Sequence, residues 1–429
     1  ILMTDKLGFM YLGLGLASFF FMIYIIFSDI GQIKLGEPDE KPEFSTASWA
    51  AMLFCGGIGA SIMYWGCIEW AYYYLDPPFQ LAPGSEEAIR WAATYGIFHW
   101  GPIAWSIYLV PALPIAYFFY VRKQPALKVS SALMPVIGEA RSNGWTGKLV
   151  DILFIFGLLG GGATTLGLAA PLITEGIHHL FGIPRDTLVQ VLVLLACTVL
   201  FGYSAYMGME KGIKVLSNIN FWGAMGLLAF ILLAGPTIFM LETGLDSLGR
   251  MLSNFFVMAT WAEPFGGYGS FKNTHFPQDW TIFYWAWWLV FAPSMGLFVA
   301  RISRGRTIKQ MVVGSIFFGS MGCFLFFMIL GNYGLSLQLS GKLDIVGMLQ
   351  TDGAYQAIFA ILDQLPFSSV VIAAFTTLCL IFTATTFDSI SYILASVVQN
   401  NVTEEPMRWN RLFWAFTLSI MPSILLFMG

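Results

Sequence analysis

Charge is the scarcest property of this chain. Only 11% of its 429 residues are Asp, Glu, Lys or Arg, against about 25% in soluble domains. With 57% hydrophobic residues, that deficit excludes an ordinary soluble enzyme and a disordered chain. Twenty-one Lys and Arg against 25 Asp and Glu leave a net charge of −4, and no basic domain suited to nucleic acid. Histidine and cysteine are equally sparse, with four and five copies. Cys55, Cys67, Cys197, Cys323 and Cys379 lie in apolar stretches without a CxxC pair, so they read as small core residues. No HExxH, GxSxG or Walker A motif occurs, and His99, His178, His179 and His275 match no nucleophile spacing. The chain carries no enzyme signature.

What it has instead is length of apolar sequence. Crossing the roughly 30 Å hydrocarbon core takes about 20 mostly apolar residues. Ten stretches qualify: 7–28, 47–75, 92–120, 149–174, 187–206, 215–240, 281–300, 309–334, 367–398 and 409–428. They are called the first to tenth spans below. Period-2 alternation is absent, so the spans are helices and the fold class is an all-α polytopic membrane protein. The side facing residues 29–46 holds fifteen of the 21 Lys and Arg, which makes it the cytoplasmic side. The chain then starts outside, which implies a further helix upstream of Ile1. Its end in an apolar run at Gly429 implies another beyond it. The segment 241–280, with Leu248, Met251, Leu252, Phe255 and Phe256, and residues 350–363 read as amphipathic stretches at the interface.

Several residues sit poorly with a plain lipid-embedded helix. Gly56, Gly57 and Gly59 interrupt the second span, and Gly160, Gly161 and Gly162 the fourth. Either cluster serves close helix packing or marks an unwound midpoint whose freed amides and carbonyls bind ions and anionic groups. The sparse side chains of Cys55–Ser61 favour unwinding in the second span. In the ninth, Thr383, Thr385, Thr386 and Ser389 surround Asp388. Such hydroxyls either bond back to their own helix or ligate a hard monovalent cation. Asp388 is costly in lipid and calls for a cavity or a partner; Glu69 calls for the same, or for water near its outer end. His99 reads as a hydrogen-bonded core histidine.

Aromatic residues are the most specific signal. The third span carries Trp100, Trp105 and Tyr108, the last two on one helical face. Trp100 is about 140° away on an ideal helix, although Pro102 disturbs that turn. The seventh span carries Trp280, Trp285, Trp287 and Trp288. An interfacial belt accounts for Trp280 and for Trp285 at most. Converging Trp and Tyr faces make a box for a quaternary ammonium, worth about 0.5–2 kcal/mol per ring.

These motifs together resemble the betaine/carnitine/choline transporter family. The resemblance rests on Pro42-Glu-Phe-Ser-Thr46, Trp65-Gly-Cys-Ile-Glu69, Phe98-His-Trp-Gly101, Phe283-Tyr-Trp-Ala-Trp-Trp288 and Ala300-Arg-Ile-Ser-Arg-Gly-Arg306. It implies a LeuT-type 5+5 inverted repeat with discontinuous helices and a homotrimer in the bacterial inner membrane. The organisation it implies is a peripheral helix and inner loop (1–45), a first repeat (46–240), an external segment (241–279) and a second repeat (280–429). The family's box falls on Trp100, Trp105, Tyr108 and Trp288, with Trp285 and Trp287 adjacent and Phe291 where the family has Trp. The substrate-facing glycine segment falls on Gly57, Gly59 and Ser61, matching neither the betaine nor the choline version. A sodium site falls on Phe382, Thr385 and Thr386, with carbonyls of Cys55 and Ile58. A second falls on Leu158, Gly162 and Ser294, which lack its ligands. Asn220 stands where sodium-independent carnitine exchangers place Arg. The expectation is a sodium-coupled symporter importing a trimethylammonium compound: betaine, carnitine or trimethylamine. The alternative is a sodium-independent exchanger; a choline carrier or a channel fits less well, and the sequence is silent on a pure osmosensor.

Overall fold

Peptide groups find no water in a bilayer, so each apolar run must close its own hydrogen bonds as a helix. The computed structural model of the protein describes residues 2–124, 127–399 and 405–428. Among these residues eight helices are long and apolar enough to cross a membrane, and a ninth crossing is a bent pair, Thr46–Ile58 and Ser61–Leu75. The tenth expected span is also helical, Arg408–Met428, but it is not in that set.

Local chemistry sets where the helices start. The third span begins at Glu86, earlier than its hydropathy suggests, because the Ser85 side chain accepts the Ala88 amide. Glu86 and Glu87 then occupy the first turn, where the helix dipole favours negative charge. Thr307 and Gln310 form a reciprocal capping box at the start of the eighth span. Among its described residues the inner loop 122–148 forms three single turns, Val129–Ala132, Met134–Ile137 and Glu139–Ser142, before the fourth-span helix starts at Trp145; residues 125 and 126 lie outside the described residues. Amphipathic helices Thr237–Ser253 and Ala354–Asp363 occupy the two expected outer segments.

The two glycine clusters part ways. The second span breaks at Gly59, whose φ of 62° lies in the left-handed region, and its halves meet at 63°. The fourth runs unbroken from Trp145 to Phe181, and Gly161 and Gly162 let it pack closely against Phe291 and Phe387. The third span, expected as one helix, is divided into Glu86–His99 and Pro102–Ala116 with an extended Gly101 between them.

Packing gathers the unusual segments. Pro102–Ala116 lies along the seventh-span helix Phe283–Ile302, and the inner half of the second span contacts the sixth, eighth and ninth spans. The fourth span packs on the ninth and the seventh. On the cation-rich side, residues 33–46 run under the loop joining the seventh and eighth spans. Leu35 donates its amide to the Arg306 carbonyl at 2.9 Å and accepts that of Gly305 at 2.7 Å. Arg301 grips Glu43 through two bonds of 2.8 and 3.1 Å, the bidentate geometry that favours Arg over Lys.

Candidate functional site

The break in the second span opens onto a narrow cavity of about 30 Å³. Gly56, Gly57, Ile58 and Ser61 form one wall, and Thr386, Ser389, Ile390 and Ile393 of the ninth span another. A stripe of the seventh span closes it: Trp287, Trp288, Phe291, Ser294, Met295 and Phe298. Steps of three and four residues keep that stripe on one helical face. Tyr108 and Thr165 complete the lining. Sequence reading found the aromatic top of this stripe and missed Met295 and Phe298. The periodicity 287, 291, 294, 298 was the available signal.

The expected box residues fall into layers. Tyr108, Trp287 and Trp288 line the cavity. Trp105 stands behind them, edge-on to Tyr108 at 5.7 Å between ring centres, and held where Gly57 and Gly319 leave no room for a Cβ. Trp100 packs on Trp288 at 4.9 Å and is itself buried. Trp285 does not join them. It packs against Gly15 of the first span, Phe98 and His99, because it stands two residues before Trp287, about 160° round the helix from it. Of the glycine segment, Gly57 and Ser61 face the cavity, whereas Gly59 meets the ninth span.

Glu69 organises the aromatic layers. It is fully buried, not wetted, and accepts hydrogen bonds from Tyr284 at 2.6 Å, Trp100 at 3.1 Å and the Tyr73 hydroxyl. His99 bonds the Tyr73 hydroxyl at 2.8 Å through Nδ1 and Thr281 at 3.0 Å through Nε2. Its carbonyl accepts the Trp288 indole at 3.1 Å. One buried carboxyl group, its oxygens satisfied by three donors, thereby ties the second, third and seventh spans around Trp288. Above it Trp65, Tyr72, Trp280 and Tyr284 pack ring to ring, closing the side opposite the cations.

The expected ion ligands are close to the break. A Cβ built on Gly59 would lie 2.5 Å from Thr386 Oγ1, so bare backbone meets that hydroxyl. Thr385 and Thr386 donate to the Phe382 carbonyl at 2.9 and 3.0 Å. Their oxygen lone pairs remain acceptors, and the last-turn carbonyls before Gly59 lie outside the helical ladder. The Cys55 side chain turns to the Ser217 carbonyl and accepts from Asn220 at 3.7 Å. Asp388 has a partner: it accepts from Ser204 of the fifth span and from Ser389. The second expected site disperses, with Leu158 buried as core, Gly162 against Phe387 and Leu418, and Ser294 in the cavity wall.

Known proteins resemble this chain in sequence and in fold. The chain is 37% identical over 426 residues to the glycine betaine transporter OpuD of Bacillus subtilis, covering 99% of this chain and 81% of that protein. It is 35% identical over 409 residues to a carnitine transporter of Acinetobacter baumannii, covering 95% and 73%. It is 36% identical over 410 residues to the uncharacterized transporter YeaV of Escherichia coli, covering 95% and 83%. In three dimensions it matches a sodium-coupled sialic acid symporter, solved substrate-bound and outward-open. The TM-score is 0.53 at 11% identity, over 96% of this chain and 80% of that one; at that identity the likeness concerns the fold alone, which is LeuT-type. The profile of the betaine/carnitine/choline family transporters matches residues 1–429, and the chain belongs to that family.

Proposed function

We propose that this protein is a sodium-coupled symporter that imports a trimethylammonium compound across the bacterial inner membrane. The observation that carries this reading is the break at Gly59, flanked by Trp287 and Trp288 on one side and Thr386 on the other. The ammonium group lies against Tyr108, Trp287 and Trp288 through cation–π attraction. A carboxylate is received at Ser61, where the outer half-helix Ser61–Leu75 begins and its amides and dipole favour an anion. Sodium, the co-transported cargo, is held by the Thr385 and Thr386 hydroxyls and by carbonyls of Cys55 and Ile58. That neutral oxygen set suits a hard monovalent cation. Holding it fastens the ninth span to the second and so favours the substrate-binding shape, which links the two ligands.

The cavity lies at the middle of the second and seventh spans and along the inner half of the ninth, with Trp65, Tyr72, Trp280 and Tyr284 packed on its outer side. The homotrimer and the two repeats, 46–240 and 280–429, belong to the same proposal. Sodium-independent exchange is the second reading, favoured by the back-bonded Thr385 and Thr386 hydroxyls. Against it, Asn220 brings no charge to imitate the ion.

Uptake of radiolabelled betaine, carnitine, choline and trimethylamine into proteoliposomes, with and without a sodium gradient, tests both readings. Symport predicts accumulation that needs sodium and is lost in Thr385→Ala with Thr386→Ala. Equal uptake in sodium-free buffer, driven by internal substrate alone, establishes exchange instead.

A further inference from the structure

Among the described residues no Asp, Glu, Lys or Arg lines the cavity, so a cation held there meets no counter-ion by contact. The charged residue behind its aromatic wall is Glu69, which is 0% exposed inside the second span. All three of its hydrogen-bond donors are aromatic: Tyr73, Trp100 and Tyr284. Two of them lead to the wall. Tyr284 lies nearly parallel to Trp287 and Trp288, with ring centres 6.1 and 5.8 Å apart. Trp100 meets Trp288 edge-on at 4.9 Å. Asp388 also lies near the cavity, but its partners are the hydroxyls of Ser204 and Ser389, not these rings.

Three donors converging on two oxygens suit an ionised carboxyl group. Among the described residues no Lys or Arg pairs with it. The only basic group within 4 Å is His99, whose Nδ1 lies 3.9 Å from Glu69 Oε1 and faces the Tyr73 hydroxyl at 2.8 Å. A charge buried in a span without a fixed cation is costly, and a cationic ligand offsets that cost. We propose that Glu69 supplies the counter-charge for the ammonium group bound against Trp287 and Trp288, across the rings of Trp100 and Tyr284 and without touching the ligand. Unit charges about 10 Å apart at an effective dielectric of about 20 change an affinity by roughly tenfold. Glu69 is then a positioning residue whose charge selects a cationic head over a neutral one of the same shape. The proposal rests on the trimethylammonium reading of the cavity.

The test is a binding titration on the full chain, read by intrinsic tryptophan fluorescence. The probes are tetramethylammonium, glycine betaine and 3,3-dimethylbutanoate, the isostere of betaine with carbon in place of the ammonium nitrogen. In Glu69→Gln, affinity for both cationic heads is expected to fall about tenfold while the isostere holds or gains, so the betaine to isostere ratio falls about tenfold. Glu69→Asp keeps the charge but disturbs the three bonds more, and it should retain more betaine affinity than Glu69→Gln. A merely structural role predicts that betaine and isostere weaken together and that Asp does no better than Gln; either result overturns the counter-charge. So does a ratio unchanged in Glu69→Gln, the outcome for a neutral Glu69 or one balanced by a protonated His99. Where the isostere is too weak to titrate, the order of the Gln and Asp variants decides. Should both variants fail to fold, the unaltered protein decides: a preference for betaine over the isostere below about tenfold overturns the counter-charge, and a larger one supports it. In all these outcomes the trimethylammonium reading stands. If neither tetramethylammonium nor betaine binds the unaltered protein, that reading falls as well.

Discussion

Two glycine-rich stretches of similar composition, 55–61 in the second span and 157–167 in the fourth, fold in opposite ways. The first breaks and bends by 63°; the second continues as part of a 37-residue helix. The difference lies in the neighbours. Gly59 has a φ of 62° and stands against Thr386, so its lack of a side chain is used twice, for conformation and for approach. Gly161 has helical neighbours on both sides and yields space to the Phe291 ring and, less closely, to Val290. Glycine permits a break; a facing polar group and a positive φ make one.

The largest expected effect follows from breaking that contrast at Gly59. In Gly59→Ala the backbone conformation, φ 62° with ψ −162°, is one that essentially only glycine adopts and costs about 1–3 kcal/mol, and the new Cβ meets Thr386 at 2.5 Å. Uptake should fall at least about tenfold and sodium should no longer raise the melting temperature. Adding Thr386→Ala relieves the contact but not the backbone strain, so stability should recover in part while sodium dependence stays lost. Recovery of both would show that sterics alone matter there.

Next in size is Gly57→Ala. Its Cβ lies 2.6 Å from the Trp105 ring and 3.0 Å from Met295, and Trp105 is blocked behind by Gly319. The ring that supports Tyr108 must shift, so affinity for trimethylammonium ligands should drop about tenfold with a small change in melting temperature. An unchanged affinity would separate the break from the aromatic wall.

A smaller effect is expected at Gly161→Ala, where the Cβ meets Phe291 at 2.9 Å. Overpacking of this kind costs about 1–3 kcal/mol. Phe291→Leu in the same chain should restore most of the stability lost in a thermal melt, because the clash is with a side chain and not with backbone. The smallest effect belongs to Gly157→Ala. Nothing lies within 4 Å of that Cβ, so the better helix former should stabilise by up to about 1 kcal/mol and leave uptake unaltered. A loss of transport in Gly157→Ala would mean that the fourth span also unwinds during the cycle.

The same distinction governs how much of the site was legible. Trp288, Tyr108 and Trp287 stood out because aromatic residues at helical spacing inside a span have few uses. Trp285 looked equivalent in the sequence, yet the rotation of the seventh helix sends it against Gly15. Glu69 was visible as a charge in an apolar run, but not its role. Nothing local connects it to Tyr284, which is 215 residues away and bonds it at 2.6 Å.

Sequence alone determined that this chain lives in a bilayer, that it does so as helices, and roughly where nine crossings begin and end. Those properties follow from apolar length, capping residues and turn chemistry, all local. The same is true of its membership in a family, carried by short runs such as Phe283–Trp288. Tertiary structure decided which glycine cluster breaks, which tryptophans reach the cavity, and which polar residues find partners there. Each of these depends on the rotation of one helix against another. That rotation is set by packing over the whole interface, so it appears only when the spans are assembled.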